Sequence, residues 1–80
     1  MTNSAIATAL GHAFLHVYHQ DHANASMHCA PVRYSPITFR LAEVIHATAY
    51  DEDLFAIAGL AGSVGAVMGD RGRYEEDKGR

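Results

Sequence analysis

Residues Ser35 to Tyr50, SPITFRLAEVIHATAY, decide the fold. Ser35 followed by Pro36 is a start signal: a serine oxygen caps the first turn, and proline at the first helical position gives up an N–H that has no partner there anyway. From that start Ile37, Leu41, Val44, Ile45 and Thr48 recur at spacings of four, three, one and three, which holds them in one stripe of a helix and assigns that stripe to the core. Phe39, Glu43, His46 and Tyr50 fall on the other side, aromatic residues interleaved with polar ones. The helix should stop near Tyr50. Asp51, Glu52 and Asp53 come next, and carboxylates suit the first turn of a further helix, expected from about Asp53 to Met68.

That further helix is apolar nearly all round. Leu54, Ile57, Ala58, Ala61, Val64 and Met68 share one face, and Phe55, Gly59, Gly62 and Ala66 another, the pattern of a buried helix. Gly59, Gly62 and Gly65 each cost about 1 kcal/mol in an exposed helix interior, so close backbone packing is expected there, on the first helix or on a second copy of the chain. Gly59, Gly62 and Ala66 are the candidate self-association residues. Beyond Gly69 the segment DRGRYEEDKGR has mixed charge and no apolar period, so residues 71–80 are expected to form a frayed, charged tail on a helical domain of residues 1–70.

Upstream, Ser4 is an N-cap candidate, and Ile6, Leu10, Ala13, Phe14, Val17 and Tyr18 recur at helical spacing, predicting a first helix from about Ala5 to Gln20 or a little further. Between Asn24 and Ser35 the period is lost and Pro31 appears, which reads as a loop, with a brief hairpin around Met27 to Tyr34 as the alternative. The fold class is therefore mainly α: a compact three-helix domain with an irregular connection between the first two helices.

The totals agree with one small domain. Eighty residues, 49% hydrophobic and 19% charged, make a foldable chain with a thin core. Six Lys and Arg against nine Asp and Glu leave a formal charge of −3, the wrong sign for a protein that grips phosphates, so direct nucleic-acid binding is disfavoured. The one cysteine, Cys29, cannot form an internal disulfide, which suits a reducing cytoplasm. The N-terminal stretch has no basic n-region and is interrupted by His12, His16 and His19, and the uncharged run Leu54 to Gly69 is too short to cross a bilayer, so neither a signal peptide nor a membrane span is expected.

The motifs stop short of chemistry. His12, His16, His19 and His22 follow one another at four, three and three residues, and the first three lie within about 60° on a helix, opposite the Ile6, Leu10 and Val17 face. Imidazoles one turn apart can chelate a divalent metal, so His12, His16 and His19 are candidate ligands, with His28 as a further donor if the loop folds back. The bland alternative is a solvated polar face that uses histidine. Six histidines also let the charge swing from −3 to +3 as pH falls through about 6.5, so solubility or partner binding should change across that range. The segment His12-Ala13-Phe14-Leu15-His16 has an alanine where the zinc-peptidase pattern needs its glutamate. Cys29 beside His28 has no orienting third group, so a small, partly buried loop cysteine is expected. The run GLAGSVGAVMG follows an acidic cap instead of a strand and lacks the GK[ST] ending of a phosphate loop. No catalytic residue and no cofactor are expected, and the chain does not read as an enzyme.

What is left is contact. Phe39, Glu43, His46 and Tyr50, continued by Asp51 and Asp53, offer an aromatic and acidic stripe suited to a basic protein partner, unless the Asn24 to Ser35 loop covers it. In size and character the whole chain is similar to the small inhibitors carried by phages and mobile elements, including anti-CRISPR proteins: compact, slightly acidic and free of motifs. That resemblance has no diagnostic motif and transfers no residue. It implies an inhibitor in the host cytoplasm that covers a surface of a larger protein or ribonucleoprotein complex such as a CRISPR effector, with carboxylates competing for cations that normally meet phosphate. Two other expectations stand beside it, a metal-binding or metal-sensing module on the histidine stripe and a small dimeric structural subunit assembled through the last helix.

Overall fold

The start signal at Ser35 and Pro36 is used. The computed structural model describes residues 3–48 and 59–78, which form three helices and no strand: α1 (Asn3–Met27), α2 (Pro36–Thr48) and α3 (Leu60–Lys78). α2 is the central element, packed against both α1 and α3, while α1 and α3 meet over a shorter contact. Phe14 from α1, Ala42 and Ile45 from α2, and Leu60, Val64 and Val67 from α3 form the buried core, with Leu10, Leu15, Tyr18, Tyr34, Phe39, Leu41 and Met68 packed around it.

Only part of the face that spacing assigned to the core is inward on α1 and α2: Leu10, Phe14 and Tyr18 on the first, Leu41 and Ile45 on the second. On α1 the inward residues include Gly11, Phe14 and Tyr18, whereas Ile6 is 51% exposed and Ala13 is exposed. Gly11 lies on the inward side. A Cβ built there would stand 3.1 Å from Leu60 Cδ1, a tight contact that the glycine avoids where Leu60 of α3 packs on α1. On α2 the inward stripe is Thr38, Ala42 and Ile45, and Ile37 and Val44 are 62% and 36% exposed. Thr38 is fully buried because its hydroxyl has a partner, Asp21 of α1.

α1 also runs past Gln20 to Met27, since nothing between them breaks a helix. It ends in a Schellman turn: Ala30 N–H donates to the Ala25 carbonyl at 2.9 Å, Cys29 N–H donates to the Ser26 carbonyl at 3.2 Å, and Cys29 sits in the left-handed region at φ 49°. The connection to α2 therefore has no hairpin, and Cys29 is exposed where a partly buried thiol was expected.

α3 differs most from expectation. It runs to Lys78 through the segment expected to fray, where arginine, glutamate and lysine are good helix formers and Arg71 forms an ion pair with Glu43 of α2. Gly59 precedes it with φ +62°, a backbone conformation suited to glycine. Tyr50, Asp51, Glu52 and Asp53, and the expected helix start at Asp53, lie outside the described residues. Among the described residues, no helix is long and apolar enough to cross a membrane.

Candidate interaction surface

The surface is set by how α2 is held. Ser35 caps α2 in the usual way, its Oγ accepting from Thr38 N–H at 3.3 Å. The second half of a capping box, a carboxylate that takes the cap residue's own N–H, comes from another helix: Asp21 Oδ2 accepts Ser35 N–H at 3.0 Å and the Thr38 hydroxyl at 2.5 Å. One carboxylate thus fixes the start of α2 on α1 and places negative charge at a helix N-terminus, where the macrodipole favours it.

An aromatic chain fixes the loop beside this latch. Phe14 in the core meets Tyr18 at 5.7 Å, Tyr18 stacks on Tyr34 at 5.7 Å and 15°, and Tyr34 meets Phe39 edge-on at 6.2 Å. His22 lies 4.4 Å from the Tyr18 ring, with its Nε2 3.3 Å from the Tyr34 hydroxyl. Burial first, then the neighbouring Tyr18, pushes the Tyr34 hydroxyl up from 10.0 to about 12.

These contacts redraw the expected partner stripe. Phe39 is half-buried under Tyr34, Glu43 is half-exposed in an ion pair with Arg71, and His46 is exposed. The outer face of α2 is instead Ile37, Arg40, Val44 and Ala47, all exposed, with half-buried Leu41 at its edge. Their spacing of three, four and three residues places them on one helix face, with Arg40 set between apolar neighbours. Spacing did contain the signal, because Ile37, Phe39, Leu41, Ala42, Val44 and Ile45 are too many apolar positions for a single stripe. It could not say which stripe was left outside.

The histidines separate. His12 and His16 are exposed and have no hydrogen bond or ring contact among the described residues, His19 turns its ring 5.6 Å from Tyr18, and His22 belongs to the aromatic chain. Among the described residues no three His, Cys, Asp or Glu side chains are gathered to hold a metal ion. The small-residue face of α3 also faces outward: Gly62, Gly65 and Ala66 are exposed, and a Cβ added at either glycine meets nothing within 4 Å. Close packing of these glycines, as far as the described residues go, is not made within the chain; the close glycine contact is at Gly11. No protein family, curated protein or solved structure matches the chain.

Proposed function

We propose that this chain is a small protein-binding module that acts by contact, laying the outer face of α2 into an apolar groove of a larger protein whose rim carries a carboxylate for Arg40. The observation that carries this is Ile37, a large aliphatic side chain left 62% exposed at the start of a helix that is otherwise firmly held. Full burial of such a side chain contributes about 1.5 to 3 kcal/mol to association, and rigid presentation reduces the entropy lost on binding. In its narrower form the partner is a protein or ribonucleoprotein complex such as a CRISPR effector and the chain its inhibitor; small size, a charge of −3 and the lack of catalytic motifs support that form.

Ile37→Glu with Arg40→Glu tests the surface. Both positions are exposed, and a carboxylate in the first turn suits the helix dipole, so the folded chain should keep its stability while partner recovery falls by more than tenfold. Undiminished recovery rejects this face. For the narrower form, a purified CRISPR effector should lose target cleavage on addition of wild-type chain and keep it on addition of the double variant.

A second reading, a homodimer through α3, is favoured by one observation: Gly62 and Gly65 weaken the helix and find no compensating contact among the described residues. Sedimentation should then show a dimer that Gly62→Leu converts to monomer. A wild-type monomer at high concentration rejects it.

A further inference from the structure

We propose that His12 and His16 form a two-imidazole clamp on the outer face of α1 for a late first-row divalent transition ion, independent of the protein-binding face. The pair lies on one continuous helix, Asn3–Met27, four residues apart, so the two rings project from adjacent turns on the same side. Both side chains are exposed, so the ion can keep water on its remaining positions and no charge has to be buried.

The division of the histidine stripe is what selects this pair. His19, next in the stripe, is turned edge-on to Tyr18 at 5.6 Å, and His22 is held between Tyr18 and Tyr34 with Nε2 3.3 Å from the Tyr34 hydroxyl. Recruiting either would cost those contacts, whereas His12 and His16 have no hydrogen bond or ring contact among the described residues to lose. Two borderline nitrogen donors favour copper, nickel or zinc over magnesium or calcium, which prefer oxygen. A bound ion also links two turns of α1 and stabilises the folded chain by mass action.

The experiment is calorimetric titration of the untagged chain with nickel(II) chloride, followed by thermal unfolding with and without the metal. The wild type should bind one ion per chain and melt at a higher temperature with nickel, with no response to magnesium. His12→Asn and His16→Asn should each weaken binding by about tenfold or more, because a chelate becomes a single imidazole, while His19→Asn and His28→Asn should not. Two compensated variants separate geometry from histidine number. His12→Asn with Gln20→His recreates a pair four residues apart on exposed positions and should restore binding, whereas His12→Asn with Ala61→His puts the sixth histidine on α3 and should not. Circular dichroism confirms that each variant is helical. No wild-type binding, retention in either single variant, or affinity that follows histidine number would overturn the proposal.

Discussion

At the scale of single residues, Asp21 does the most to orient α2. Its carboxylate accepts from a buried hydroxyl and the cap N–H at once, so Asp21→Ala leaves the Ser35 N–H without its acceptor and the Thr38 hydroxyl with Ser35 Oγ alone, at 3.0 Å, and should cost about 1 to 3 kcal/mol in chemical denaturation. Cys29 acts in the opposite direction, because a side chain in the left-handed region is strained; Cys29→Gly should raise stability by roughly 0.5 to 1 kcal/mol. Tyr34 gives a pH signature. Its folded-state pKa is above the unfolded value, so the neutral hydroxyl favours the fold fully below pH 10.0, and that contribution is lost as pH rises toward about 12. Tyrosinate absorbance should show a late-titrating group that is missing in Tyr34→Phe, together with a loss of stability over that alkaline range.

At the scale of elements, the sequence makes α2 legible from its start signal and α1 from its period, and misleads on part of the face each buries: Phe14 and Ile45 are inward as expected, Ile6 and Ile37 are not. Thr38 is polar and yet buried, because its hydroxyl is met by Ser35 Oγ at 3.0 Å and by the distant Asp21. Gly11, a poor helix former, is buried against Leu60 of α3. The end of α1 was equally hidden, since a cysteine gives no stop signal at the position where glycine usually sits in a Schellman turn. For α3 the glycines make a direct prediction: a Cβ at Gly62 or Gly65 meets nothing, so alanine at either should stabilise an isolated chain by about 0.5 to 1 kcal/mol in thermal unfolding. A loss of stability instead would show that this face is packed against another copy.

At the scale of the whole molecule, three helices around a small core were readable from apolar spacing, while the candidate surface was not. A stripe of Phe39 and Glu43 was expected outside, and Tyr34 and Arg71 engage them; Ile37 and Val44 were expected inside, and both are exposed. Long-range partners decide such questions, and a single sequence does not display them. The claim that the chain works through the outer face of α2 is tested most directly by photo-crosslinking inside the cell, with a photoreactive residue placed in turn at positions 37, 40, 62 and 66. Positions 37 and 40 should form one adduct with a larger protein, and positions 62 and 66 should not. Adducts from 62 and 66 alone, or none from 37 and 40, would contradict it.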